Sequence, residues 1–410
     1  MLFHYCAQGE FLSKPQTKPQ IQTYTSQFEE VLEYVAKQHV TKPEYQTLVN
    51  NAIAGMLESL DPYSCYMIGE DGEEFLEKTS GSFGGIGIEM MHPNKGEIVV
   101  IAPIADLPAA KAGIKSGDKI VGVDGIKVKD LGYKAIQKIR GKAGTRVKIT
   151  IARASMKHTI DYELVRVKIK DHPVKSQIDK NIGYLNIAHF TECTSTELRE
   201  KVNTWVREKQ PLVGIILDLR NNPGGLLNQA IEVSEFFLES ENIVGVKGRD
   251  DNIIMTKSDP YSNKAPKLPM VVLINQGSAS ASEIVAAALQ DNNRAVIVGT
   301  KSFGKGTVQN LIKTMRYNAM IKVTTHLYCS PKKRFIDKKG VAPDVLVEQK
   351  NLKEETNKGK NTIVPIKTIS KQLVTEGDMQ YKKAQEILLG DQYLEILNKK
   401  KENLLKQIHK

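Results

Sequence analysis

From Ile182 onward, short apolar runs alternate with helical stretches: Gly183 to Ile187, a helix over Thr194 to Lys209, then Leu212 to Leu219, Met270 to Ile274 and Ala295 to Val298. A chain that returns to buried strands between amphipathic helices must lay those helices over a sheet, so this half reads as α/β. Asn222-Pro223-Gly224-Gly225 leads from one strand into a helix whose positions Leu227, Ala230, Ile231, Phe237 and Leu238 share an apolar face. Ala319 to Leu327 reads as a further strand.

The preceding segment follows another rhythm. Between Gly81 and Val167, β-rich runs are punctuated by glycine (Gly87 to Met90, Ile98 to Ile101, Lys119 to Val123, Arg146 to Ile151), with short helices at Ala109 to Ala112 and Lys134 to Ile139, which predicts a small β-rich module. Residues 28–80 carry helical periodicity through Phe28, Val31, Leu32 and Val35, then Leu48, Ala52, Ile53, Met56 and Leu57, with breaks at Lys42-Pro43 and Asp61-Pro62. Residues 1–27 read as a flexible tether, residues 168–350 as the α/β core, and residues 351–410 as a charged linker followed by a helical segment.

At 410 residues the chain fits roughly two to four domains. No apolar run reaches the roughly 18 residues of a spanning helix, and Met1 to Cys6 lacks the basic start and cleavage site of a signal peptide. The net charge of +11 comes from dispersed lysines, densest at Lys399, Lys400, Lys401, Lys406 and Lys410, without interleaved aromatics; it reads as a solvated face, and no nucleic-acid partner is expected. Cys6, Cys65, Cys193 and Cys329 have no metal-binding or redox spacing, so no metal is expected.

Two segments carry chemistry. Gly277-Ser278-Ala279-Ser280-Ala281-Ser282-Glu283 sets a serine at a helix start after a strand, and Ser302-Phe303-Gly304-Lys305-Gly306-Thr307-Val308-Gln309 sets a lysine between glycines. A serine hydroxyl needs a base, and an amine serves only when it is neutral, which requires a desolvated pocket. Glycines on both sides of Lys305 let its backbone approach another segment closely. Ser280 also stands three residues before Glu283, the capping-box spacing, and Ser278 and Ser282 compete with it as nucleophiles. Gln309 is placed to hold the amine in line if a bent loop returns it towards Lys305. The glycine amides of Asn221-Asn222-Pro223-Gly224-Gly225 suit a developing oxyanion, and no Gly-Lys-Ser/Thr run marks a phosphate loop. His92, His158, His172, His189 and His326 lie in no triad context, and Asp218 reads as a strand-end residue that bonds its own loop.

Taken in order, Leu60-Asp61-Pro62-Tyr63-Ser64, Phe83-Gly84-Gly85-Ile86-Gly87-Ile88, Ser116-Gly117-Asp118-Lys119-Ile120 with Val123-Asp124-Gly125, Asp218 to Gly225, the serine and lysine segments, and Gly340-Val341-Ala342-Pro343-Asp344 resemble the carboxyl-terminal processing proteases. The resemblance spans Phe28 to Glu348. It implies an α/β multidomain protein: a crotonase-like (ClpP/crotonase) α/β protease core with a PDZ domain inserted at 81–167, and helical terminal segments. It further implies Ser280 as nucleophile, Lys305 as general base, Gln309 as its orienting partner, and an oxyanion hole on the backbone amides of Ala281, Gly224 and Gly225. Gly85, Ile86, Gly87 and Ile88 would bind a substrate's terminal carboxylate, and Arg140 matches a position that relays PDZ engagement.

The implied partners are proteins or peptides with exposed C-termini, and no cofactor is called for. A homodimer and peripheral membrane association are the further partner classes, with a periplasmic location or the outer face of the cytoplasmic membrane as the compartment. Tyr63 departs from the family, which more often has histidine there. The rival readings are a catalytically silent PDZ adaptor or chaperone and an acyl-CoA enzyme on a similar core.

Overall fold

A computed structural model of the chain describes residues 18–91, 98–132, 134–314, 318–348, 377–390 and 392–408. They fall into two compact units, one running up to Ile68 together with Gln309–Thr324, the other comprising Gly69–Val308 and the chain from Thr325.

The first unit holds two helices, Lys18–Gln38 and Tyr45–Glu58, and the strand Cys65–Ile68, which pairs antiparallel with the Ala319–Lys322 stretch. The first helix begins at Lys18, inside the stretch expected to be a tether. Ile21 and Tyr24 continue the three- and four-residue spacing of Phe28 and Val31, a stripe that the surrounding glutamines and threonines hid. Residues 1–17 of the expected tether, and the expected linker, lie outside the described residues.

The second unit is built on a six-stranded sheet in the order Val174–Asp179, Ile182–Ile187, Gly214–Asp218, Met270–Ile274, Val296–Gly299, Val345–Leu346. Only the first pairing is antiparallel; the rest are parallel. The apolar runs are unbroken because both faces are covered. Ile215, Leu217, Val272, Ile274 and Ile297 pack with Leu198, Phe236 and Ile284 from the helices Thr194–Arg207, Leu227–Phe237 and Ala281–Asp291. The alternate residues Ile216, Val271, Leu273, Val296 and Val298 pack with Tyr381, Ala384, Ile387 and Leu388 of the helix Met379–Leu389. The C-terminal segment therefore closes the core's second face. Lys400, read as part of a solvated face, donates to Asp344 at 2.9 Å.

The inserted module has the sheet order Ile88–Met91, Ile98–Pro103, Lys119–Val123, Arg146–Ala152, Ile160–Val165, with Ile126–Lys127 beside Lys119–Val123. Its strands alternate, and Val147, Ile149 and Ile151 point into a core shared with Ile86, Ile98 and Ile120. Entry and exit are stapled together, since Ser82–Gly85 pairs antiparallel with Val167–Lys170. Asp118 of the Ser116 to Ile120 motif is buried and accepts the Arg153 fork at 2.8 and 2.7 Å.

No described helix is long and apolar enough to cross a membrane.

Candidate active site

The buried strand Met270–Ile274 delivers the chain into a turn ending at Ser280, whose backbone has φ 56° and ψ −115°. A β-carbon in that region is strained by roughly 1–3 kcal/mol, so neighbouring bonds must hold it there. The flanking serines supply some of them. Ser278 and Ser282 are both fully buried; Ser278 Oγ donates to the Leu219 carbonyl at 2.8 Å, and Ser282 Oγ to the Asn222 carbonyl at 2.7 Å. Both rivals are thus committed to the scaffold, while Ser280 is half-buried at the helix start.

Glu283 does more than cap the helix. Its fully buried carboxylate accepts four donors: Ser280 N–H at 2.8 Å and Lys305 N–H at 2.9 Å on Oε2, and Ser302 Oγ–H at 2.6 Å and Gly304 N–H at 2.7 Å on Oε1. One oxygen therefore ties the backbone of the serine to that of the lysine across 25 residues of sequence. Burial pushes this carboxyl above its ordinary value, against the downward pull of the four donors. Tyr328 adds a second tie, its hydroxyl bonding the Lys305 carbonyl and lying 3.2 Å from the Ser280 carbonyl.

The glycines around Lys305 serve the close approach expected of them. A β-carbon on Gly306 would lie 2.3 Å from the Asp337 nitrogen, and one on Gly304 would lie 2.9 Å from the Gly340 nitrogen. Lys305 itself is half-buried. The chain beyond it is extended, with Gln309 in the strand Thr307–Thr314 rather than in a returning loop. Within the first unit, Gln309 Nε2 donates to Thr324 Oγ1 at 3.2 Å, and that hydroxyl donates to Asp61 Oδ1 at 3.2 Å. Asp61 also accepts Tyr63 N–H and Ser64 N–H, so the Leu60 to Ser64 motif folds into the turn that supports this chain.

Gly224 lies against the serine turn: a β-carbon there would sit 2.7 Å from Ser280 Cβ and 2.9 Å from the Ala281 nitrogen, at φ 98°. Its N–H is already spent on Asn222 Oδ1 at 2.8 Å, so of the two glycine amides expected to serve an oxyanion, this one is committed to the turn itself. The Gly224 carbonyl accepts Phe190 N–H at 2.9 Å, which in a trans peptide turns the Gly225 N–H the opposite way.

In the inserted module the carbonyls of Ile86 and Gly87 are fastened by Ala109 N–H and Ile104 N–H, both at 2.9 Å, so the amides of Gly87 and Ile88 face away from those bonds. Gly85 closes the staple strand, and Ile86 is buried in the module's core. Ile88–Met91 is an edge strand, open to pairing with an extended peptide. Arg140 stacks over the Phe83 ring at 4.2 Å. The Asp171 carboxyl lies below its ordinary range, first because of its bond with His189 and in smaller part because of the Arg140 charge. The residue after His189 is Phe190, the partner of Gly224.

Among the described histidines, His172 pairs with Glu197, His189 with Asp171 and His326 with Thr325. Asp218 bonds its own loop, accepting Arg220 N–H at 2.9 Å, and also accepts Tyr184 Oη–H at 2.7 Å from the neighbouring strand. The sequence reading missed Glu283 beyond its capping role, although its place three residues after Ser280 was the available signal. Tyr328 left no signal, because its role depends on where a distant strand ends.

Comparison with known proteins places three family models along the chain: Peptidase family S41 at residues 181–347, PDZ domain at 84–164, and Activating protease CtpB N-terminal domain at 6–71. The chain is similar to a Carboxy-terminal-processing protease of Bartonella bacilliformis, 44% identical over 79% of this chain and 75% of that one. It is also similar to Carboxy-terminal processing protease CtpA of Bacillus subtilis, 40% identical over 77% of this chain and 67% of that one. A Probable CtpA-like serine protease of Staphylococcus saprophyticus is 35% identical over 78% of this chain and 65% of its own length.

Proposed function

Because the chain belongs to peptidase family S41, among the PDZ-bearing carboxy-terminal processing serine proteases, we propose that it cleaves proteins near a free C-terminus with Ser280 as nucleophile and Lys305 as general base. The observation that carries this reading is the single Glu283 oxygen that accepts the amides of both residues. In the proposed cycle the neutral Lys305 amine takes the Ser280 proton as Oγ attacks the scissile carbonyl. The lysine then gives that proton to the leaving amine; water, deprotonated by the same lysine, attacks the acyl carbonyl, and the lysine returns the proton to Ser280 Oγ as the acyl bond breaks and the acid product leaves. Gln309 orients the amine. Ala281 N–H, at the first turn of its helix, and Gly225 N–H stabilise the oxyanion.

The substrate tail is proposed to add a strand along Ile88–Met91, its carboxylate meeting the amides of the Gly85 to Ile88 loop. Arg140 relays occupancy through Asp171 and His189 towards the glycine turn. The matching test uses an unfolded substrate with an apolar tail, its C-terminus either free or amidated. Wild type should cleave the free form faster, and Ser280→Ala should cleave neither. Equal cleavage by both proteins removes Ser280; cleavage indifferent to amidation removes tail recognition.

The compartment is proposed to be the periplasm or the outer face of the cytoplasmic membrane, with peripheral attachment. A homodimer is proposed through the helix Lys18–Gln38, where Ile21, Tyr24 and Val31 are more than half exposed. Cell fractionation followed by sedimentation checks these together. The expected result is recovery outside the cytoplasm at twice the chain mass; cytoplasmic recovery removes the compartment, and a monomer removes the dimer.

A further inference from the structure

The glycine turn is gripped from behind. Arg220, the residue just before Asn221, lies between the strand-end Asp218 and Asp378, the N-cap of the helix Met379–Leu389. All five guanidinium N–H groups have acceptors. Nε reaches Asp218 at 3.0 Å, Nη2 reaches Asp218 at 2.6 Å and Asp378 at 2.8 Å, and Nη1 reaches Asp378 at 2.8 Å and Gln380 Oε1 at 3.1 Å. The side chains of Arg220, Asp218 and Asp378 are 13%, 4% and 9% exposed, so solvent cannot replace a lost partner.

We infer that Asp378 is a positioning residue for the proposed reaction, acting through Arg220 to hold the Asn221–Gly225 turn against the serine loop. The inference rests on the reading that this turn serves the oxyanion. From Arg220 the coupling is short. Leu219 and Asn222 offer their carbonyls to Ser278 and Ser282, Asn222 O also accepts Ala279 N–H at 2.9 Å, and the Asn222 side chain holds Gly224. A guanidinium that loses the Asp378 carboxylate must seek another acceptor, and the turn covalently attached to it moves as well. Asp378 lies outside the span matched by the peptidase model, so this assigns a role in catalysis to the C-terminal segment.

Asp378→Asn tests this, since asparagine remains a good N-cap for Tyr381 N–H but turns one acceptor into a donor facing the guanidinium. The expected result is a fall in kcat of about 10- to 100-fold with KM changed less than about 2-fold. Affinity for a peptide boronic acid, which forms a tetrahedral adduct, should fall in parallel, while affinity for the uncleaved tail peptide holds. Tyr381→Phe, on the same helix, is the control; it loses the bond to Asp179 at the end of the strand Val174–Asp179 but leaves Arg220 untouched, so it should lower the melting temperature and keep kcat.

If Asp378→Asn does not fold, Asp378→Glu is read instead. Its longer side chain should displace the guanidinium and lower kcat about 3- to 10-fold at constant KM, on the same dependence of rate on position. Wild-type kcat in either folded variant, a loss no larger than the loss of folded protein, or an equal kcat loss in Tyr381→Phe would overturn the inference. Wild type and Ser280→Ala run alongside, so that failure of the serine assignment is read separately.

Discussion

Lys305→Ala is expected to stop turnover, lowering kcat/KM by at least about 10²- to 10⁴-fold, while leaving the fold and the affinity for a tail peptide within about 2-fold of wild type. The serine hydroxyl stays in place without its base, and the loop that carries residue 305 keeps its backbone bonds to Glu283 and Tyr328, because both are made by main-chain atoms. The loss should therefore appear in kcat, with circular dichroism and tail-peptide anisotropy unchanged. Retained turnover would eliminate lysine as the base, and joint loss of activity and fold would show the loop to be structural.

Glu283→Gln is expected to be nearly as damaging by another route. A carboxylate can accept all four of its donors; an amide keeps one accepting oxygen and turns a donor towards two of them. Losing bonds to a buried charge costs about 1.5–3 kcal/mol each, so the loss of two should lower stability by roughly 3–6 kcal/mol. Activity should fall about 100-fold through misplacement of Ser280 relative to Lys305.

A pH series separates the two effects. Because burial holds this carboxyl above its ordinary value in the folded chain, the native state takes up a proton before the unfolded state does. The stability that Glu283 contributes, measured as wild type minus Glu283→Gln, should therefore rise as pH falls from the raised value towards the ordinary one. Over the same window the wild-type advantage in activity should shrink, since a protonated carboxyl no longer accepts four donors. Stability and activity differences moving in the same direction would contradict the clamp.

Much of the fold could be read from the sequence because burial on two faces leaves unbroken apolar strands, and burial on one face leaves alternation. Met270–Ile274 and Arg146–Ala152 are the respective examples. The resemblance rested on short motifs, and the structure gives several of them local work: Asp61 to Ser64 as a turn, Asp118 as a partner for Arg153, Gly304 and Gly306 as sites of close approach. The choice among Ser278, Ser280 and Ser282 was not written locally. It depends on the carbonyls of Leu219 and Asn222, about 60 positions earlier, which occupy the two flanking hydroxyls. Helix Lys18–Gln38 was only half legible because its polar residues outnumber its stripe. Asp378 was invisible for the same reason as Tyr328: its partner becomes a neighbour only when the segment that carries it docks.

The most direct test of the Ser280 and Lys305 assignment is intact-mass spectrometry of the enzyme mixed with an activated peptide ester, followed by digestion to locate the adduct. The account predicts a transient acyl group on Ser280 in wild type and none in Ser280→Ala or Lys305→Ala. An acyl group on any other residue, or steady turnover of the ester by Ser280→Ala, would contradict it.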